Sequence, residues 1–398
     1  MLTKHTFLNP LQEDILPFWL GQLDARGGFY GHYSYNLTID KSAYKTAVIS
    51  ARYLWAFSRS YRLLKHASYH RAADHAFSFL YDKLIDKENG GLFWAVDASG
   101  NVVSDSKQTY AQAYGVYSLS EYALINPHSV AKKEAIELFY LIEEKCYSKK
   151  YNGYLEAFSN DWSSKEETKI GSRDPQLIFT TNTHIHLLEA YTNLYRLWPD
   201  FFLKERIKQL LKLIQIAIFQ PDGYCATEFN QDWQPLTAEL SYGHDIETAW
   251  LLKECLDVCQ IEDPSIERMI INLSHYVLKH GRFSNGAVKT DSPAKHNQDE
   301  HKVWWVQAEA VIGFYNAFQM TTDLTYQAAA LDTWEYINNY FIDKRPRSEW
   351  FAQVDQANMP IELAISDEWK GPYHTVRMYL EMIERLHKTD PCYTINYK

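Results

Sequence analysis

No run of 18 apolar residues occurs anywhere in the 398-residue chain, and its opening stretch, Met1 to Pro10, lacks an apolar segment of the kind an export signal needs. Neither membrane insertion nor secretion is therefore expected. Cysteine is scarce: Cys146, Cys225, Cys255, Cys259 and Cys392 are odd in number and include no Cys-x-x-Cys pair. That pattern fits reduced thiols and a cytoplasmic protein, in which the sequon Asn36-Leu37-Thr38 carries no meaning. Cys255 and Cys259, one helical turn apart, read as helix packing rather than as a metal pair. Positive charge is also short, with 40 Lys and Arg against 50 Asp and Glu, a net charge of −10 and no basic block. A nucleic acid or anionic membrane partner would favour a basic stripe, so both are excluded. No heptad seam is present, which favours a monomer, and no long segment alternates with period two, which argues against an extended sheet.

What the chain does have is an apolar fraction of 46%, enough for a large core, and an aromatic fraction of 15% with 12 Trp and 29 Tyr. Aromatic faces bind the apolar faces of sugar rings, although a Tyr-rich core would give the same composition. Apolar residues recur at i, i+3, i+4, i+7, as in Ala47, Val48, Ala51, Leu54, Trp55 and Ser58. The same spacing predicts helices near 9–23, 44–64, 67–84, 107–124, 130–146, 176–197, 203–219, 245–260, 264–280, 300–319, 324–342 and 372–388.

Between helix pairs an aromatic turn recurs six times, at Gly27-Gly28-Phe29-Tyr30, Gly90-Gly91-Leu92-Phe93-Trp94, Asn152-Gly153-Tyr154, Asp222-Gly223-Tyr224, Gly281-Arg282-Phe283 and Ser348-Glu349-Trp350-Phe351. A repeat of this length means one architecture, so residues 1–398 are expected to form a single domain. Six helical hairpins, each needing a neighbour to cover its apolar face, can close into an all-α (α/α)6 barrel around a funnel. An open superhelix of the same hairpins is the alternative. In the closed form the glycine turns lie at the mouth, where a ligand enters.

Polar residues that interrupt the inner face of the first helix of a pair point to chemistry. Arg52 shares a stripe with Val48 and Trp55, and a snorkelling surface Arg is the plain alternative. His184 and His186 lie two apart, hence on opposite faces of a helix, which disfavours a shared metal; His186, stacked on Asn182, is assigned to the cavity. His244, after Gly243, and His374, after Pro372, fall at helix starts, where the macrodipole keeps imidazole neutral and able to accept a proton. Glu247 stands three residues after His244, placed to fix its tautomer or to bind sugar. Trp305 and Glu309 sit one turn apart, and Trp369 precedes His374 by five residues. A ring to stack on and a carboxylate for hydroxyls are what a sugar needs. The three histidines are taken to hold corresponding positions on inner helices.

These residues, with Pro17-Phe18-Trp19, Gly27 to Gly31, Ala51 to Trp55, His186 to Tyr191, Tyr242 to Glu247, Val303 to Ala310 and Pro372 to His374, resemble the family of acylglucosamine and cellobiose 2-epimerases over essentially the whole chain. The likeness is greatest to its cellobiose 2-epimerase branch. Val306-Gln307-Ala308-Glu309 looks like the disaccharide enzymes, where acylglucosamine enzymes typically have Pro-His-Asn-Glu. The resemblance implies an (α/α)6 barrel that needs no metal or cofactor. It implies His244 and His374 as the acid/base pair, Arg52 and His186 as stabilisers of an enediolate oxygen, and Tyr110, Asp174, Asn182, Glu247, Trp305, Glu309 and Trp369 as sugar contacts. Gly371, where relatives often have Cys, and Arg26, where Asn is common, depart from the pattern without touching a proton-transfer group.

Inverting C2 of an aldose requires ring opening, loss of the proton beside the aldehyde carbon and return of one to the other face, which suits two histidines and a fixed cation. The substrate expected is a β-1,4-linked disaccharide whose reducing-end glucose becomes mannose. A monosaccharide or N-acylglucosamine substrate, and ketose formation, are near alternatives. A glycoside hydrolase using two carboxylates among Asp174, Glu247 and Glu309, or a carbohydrate-binding protein without catalysis, are the rivals from other classes.

Overall fold

The computed structural model describes residues 2–163, 176–291 and 301–388. The inner helices are α3 (Ala47–Leu64), α5 (Thr109–Ile125), α7 (Thr181–Leu197), α9 (Tyr242–Cys259), α11 (Trp304–Thr321) and α13 (Pro372–Lys388). The outer ones are α1 (Lys4–Pro10) continued by α2 (Leu16–Leu20), then α4 (Ala67–Phe79), α6 (Ala131–Lys145), α8 (Phe201–Leu213), α10 (Pro264–His280) and α12 (Leu324–Tyr336). Each inner helix packs on the next, and α13 returns to α3, so the ring is closed and the (α/α)6 expectation holds. Among the described residues no helix is long and apolar enough to cross a membrane. Cys146, Cys225, Cys255 and Cys259 are buried free thiols, and Cys392 lies outside the described residues.

Several inner helices begin later than the periodicity suggests because their first residues are extended. Lys45–Thr46, Lys107–Gln108, Phe179–Thr180 and Lys302–Val303 each pair, as a two-residue strand, with the loop of the following hairpin. Thr46, Thr180 and Ser241 then cap α3, α7 and α9 by accepting from the third helical N–H, satisfying a donor that the helix leaves open. Inner helices run into outer ones through short links such as Lys65–His66. The return connections are long and carry the paired strands, so they form a collar at the end where the inner helices start.

The six aromatic turns are marked in the structure by bridges that pair Leu23 with Phe29, Ile85 with Leu92, Phe219 with Cys225, Arg282 with Val288 and Ile342 with Trp350, and by the pairing of Tyr147 with Tyr154. From Phe29 to Leu92, Tyr154, Cys225, Val288 and Trp350 the steps are 63, 62, 71, 63 and 62 residues. The fifth turn is thus centred on Gly286-Ala287-Val288 rather than on Gly281. Four outer helices or helix pairs contain a wide π turn, three of them, at Leu80–Leu84, Ile214–Ile218 and Ile337–Phe341, directly before the bridge.

One buttress recurs beneath these turns. The fourth residue of α5, Gln112, accepts from Leu92 N–H at 2.7 Å and donates to Leu92 C=O at 3.0 Å. Gln307, fourth in α11, does the same with Val288, both at 2.8 Å. His184 in α7 accepts from Tyr154 N–H at 3.1 Å, and Asp245 in α9 from Cys225 N–H at 2.8 Å. Buried lysines repeat as well: Lys45 meets Asp24, Lys107 meets Asp86 and Lys370 meets Glu349, all nearly inaccessible.

Candidate active site

Because the inner helices share one phase, residues at the same ordinal position form rings across the funnel. The second positions include Tyr110, Asn182, Gly243, Trp305 and Tyr373, and the third include Thr183, His244 and His374. The sixth positions are Arg52, Tyr114, His186, Glu247, Glu309 and Arg377, six polar side chains each buried to 4% exposure or less. His244 and His374 are therefore equivalent to one another, whereas His186 belongs to the deeper ring with Arg52. Three histidines at corresponding positions, as the sequence suggested, are two plus one.

Arg52 is a buried cation with no carboxylate against it among the described residues. It donates to Tyr110 Oη at 3.1 Å, Tyr114 Oη at 3.0 Å and Trp369 C=O at 2.5 Å, and lies over the rings of Tyr114 and Tyr373. Its Nε has no partner. Burial works against the charge, but the surrounding tyrosine oxygens raise the guanidinium pKa, so the group stays positive.

Arg377, on the neighbouring helix α13, is the opposite case. It forms ion pairs with Glu189 at 2.5 Å, Glu309 at 2.7 Å and Glu247. Glu247, Glu309 and His374 present donor atoms within 4.8 Å of one another, close enough in principle for a metal ion. The guanidinium already lies against both carboxylates and supplies the positive charge there. Burial raises Glu189, yet Arg377 and then His186 outweigh it and hold the carboxylate at about 2. Glu247 is pushed up to about 7 by burial and by Glu309 beside it.

These carboxylates orient the imidazoles. His374 Nδ1 lies 2.8 Å from Glu309, whose other oxygen accepts from Trp250 Nε1 at 2.9 Å. His186 Nδ1 lies 2.9 Å from Glu189, which also accepts from Tyr373 Oη at 2.5 Å. His244 Nδ1 is 2.8 Å from Ser241 Oγ, so its partner is the helix cap and not Glu247, which is committed to Arg377. In all three rings Nδ1 is engaged in the wall, and Nε2 has no protein partner among the described residues. Burial lowers His244 to about 3, and burial followed by Arg377 and Arg52 lowers His374 well below its ordinary value. Both are neutral at physiological pH, for reasons of desolvation first rather than the helix dipole.

The Trp305 ring lies against both, with centroids 4.8 Å from His244 and 5.5 Å from His374. Gly243 permits this approach, since a Cβ there would stand 2.6 Å from the indole. Above them a cavity of about 270 Å³ opens, lined by Tyr110, Asn182, His244, Trp369 and the collar residues Glu156 and Asp291 among others. Asn182 Oδ1 is buried there without a partner among the described residues. Trp369 faces Trp94 at 5.9 Å. Asp174 lies outside the described residues. His184 points away, its Nδ1 2.7 Å from Thr180 C=O.

Sequence reasoning passed over Arg377, Tyr114 and the wall roles of Glu189, Ser241 and Tyr373. Arg377 and Tyr114 were within reach: each falls at the ordinal position of Arg52 once helix starts are aligned.

The fold is an (α/α)6 barrel, and the proteins this chain matches place it among the carbohydrate isomerases. The sequence profile of the N-acylglucosamine 2-epimerase (GlcNAc 2-epimerase) family matches residues 28–377. A cellobiose 2-epimerase of Dictyoglomus turgidum is 34% identical over 96% of this chain and 98% of its own, and one of Ruminococcus albus is 35% identical over 94% and 97%. The solved structure of cellobiose 2-epimerase from Bacillus thermoamylovorans superposes with a TM-score of 0.94 at 38% identity, covering 96% of this chain and 99% of that one. The chain belongs to the N-acylglucosamine 2-epimerase family.

Proposed function

We propose that the protein catalyses the reversible 2-epimerisation of the reducing-end sugar of β-1,4-linked disaccharides such as cellobiose, lactose and mannobiose, interconverting glucose and mannose. The observation that carries this reading is the pair of equivalent neutral imidazoles, His244 and His374, both packed against Trp305, beside a cation that has no counter-charge among the described residues. The near full-length likeness to cellobiose 2-epimerases supports the disaccharide over a monosaccharide or N-acylglucosamine.

In this mechanism the ring-opened sugar lies against Trp305 with C2 between the two Nε2 atoms. One histidine takes the C2 proton, the electron pair moves onto the carbonyl oxygen, and Arg52 with His186 stabilises the enediolate. The other histidine returns a proton to the opposite face. Tyr110, Asn182 and Asp174 bind hydroxyls, and Trp369 stacks on the second sugar. Glu247 and Glu309 act from the wall: Glu309 fixes the His374 tautomer and stabilises the imidazolium as it forms. A hydrolase would need two independent carboxylates, whereas Glu247 and Glu309 share one guanidinium, which favours the epimerase.

The reaction requires no metal or cofactor in this reading. All its groups come from one chain, which suits a monomer, and the buried thiols suit the cytoplasm. Cellobiose incubated in D₂O and followed by NMR is expected to yield the manno epimer deuterated at C2, with activity unaffected by a chelator. His244→Ala and His374→Ala are each expected to abolish exchange; exchange surviving either change would remove that histidine from the mechanism.

A further inference from the structure

Asp245 is the fourth residue of α9, directly after His244, and in α5, α7, α9 and α11 the fourth residue ties the helix to the aromatic turn outside it. At Gln112 and Gln307 the tie is double, since the amide accepts from a backbone N–H and donates to the C=O of the same residue. Asp245 accepts from Cys225 N–H at 2.8 Å through Oδ1, while Oδ2 is buried with no partner. The residue is wholly inaccessible, and among the described residues it takes part in no ion pair. An ionised carboxylate has no donor to offer, and burying one without a cation is costly.

We propose that Asp245 is carried as the undissociated carboxylic acid, donating its proton to the Cys225 turn where Gln112 and Gln307 donate an amide N–H, and that it is thereby a positioning residue for His244. The proton completes the second half of the tie between the first turn of α9 and its neighbour. That turn holds Ser241 and His244 in register, so the acid acts on the imidazole through the backbone.

The surroundings agree. The titratable groups that face Asp245 are Cys225 on the adjoining turn, Tyr242 in its own helix and Tyr276 on α10. Burial raises all three, so each is neutral below alkaline pH and none brings a positive charge. Burial pushes Asp245 itself up to about 8, with only the Cys225 N–H and thiol pulling it down. The unfolded chain releases this proton near the ordinary Asp value of about 4, and the folded chain holds it to about 8. Between those values the folded form binds more protons, so this residue makes stability fall as pH rises.

Asp245→Asn keeps donor and acceptor and removes the titration. Its melting temperature is expected to gain on the wild type by several degrees as pH is raised from 4 to 8, and Asp245→Leu, which loses both bonds, is expected to melt below the Asn variant at every pH. The ratio of kcat at pH 9 to kcat at pH 7 should be several-fold higher for the Asn variant, with KM unaltered. Parallel melting curves, an Asn variant less stable than wild type throughout, or a Leu variant as stable as the Asn variant would each overturn the proposal. The kinetic arm rests on the function proposed above; if no protein exchanges the C2 proton, that reading fails while the melting curves still decide the protonation state.

Discussion

At the scale of single residues, the two buried arginines of the sixth-position ring show how context sets the use of a charge. Arg377 is neutralised by three carboxylates and serves the wall. Among the described residues Arg52 is held by phenol oxygens, a backbone carbonyl and aromatic faces, so its field is left for whatever enters the cavity. A preorganised cation aimed at developing charge is worth about 10²–10³-fold in rate, the amount lost on removing one oxyanion donor. Arg52→Met is therefore expected to lower kcat by about that factor, with a much smaller change in KM, and Arg52→Lys to recover part of it. A variant that raised KM while leaving kcat intact would make Arg52 a binding group only.

At the scale of elements, a short extended segment before α3, α5, α7 and α11 and a polar fourth residue in α5, α7, α9 and α11 fix where these helices begin and how they meet their neighbours. Gln307 illustrates the energetics: its two bonds satisfy a buried N–H and a buried C=O of Val288. Gln307→Leu leaves both unpaired, and the loss is expected at about 2–4 kcal/mol. Urea unfolding should show it as a lower midpoint with unchanged slope. A loss well under 1 kcal/mol would mean that the turn finds other partners.

At the scale of the whole molecule, the funnel is layered. Beneath the polar ring lie the ninth residues of the inner helices, Trp55, Tyr117, Glu189, Trp250, Ile312 and Leu380, which close the cavity with a mainly apolar floor. The thirteenth residues, Arg59, Glu121, Asn193, Glu254, Asn316 and Glu384, form a second polar ring at the narrow end. There Arg59 pairs with Glu381 and Glu384, Arg62 with Glu121 and Arg196 with Glu254. Substrate and product thus share one mouth. Arg59→Met leaves partly buried carboxylates uncompensated and is expected to destabilise the fold by about 3 kcal/mol, read from chemical unfolding, while kcat of the folded enzyme stays at the wild-type value because the floor separates the rings. A fall in kcat without loss of stability would show that the lower ring communicates with the site.

The helical repeat, its sixfold count and the chemistry-bearing residues nearest to motifs are legible in the chain, because a 3.6-residue period and a recurring turn are local and survive in one dimension. His244 and His374 stood out as histidines at readable helix starts. Which residues share a ring emerges in the folded molecule, since it depends on aligning helix starts that paired dipeptides such as Lys302–Val303 shift by several residues. The fold also settles which charges are answered. Arg52 and Arg377 look alike in the chain and differ in the fold, because the carboxylates that neutralise one of them come from three other helices.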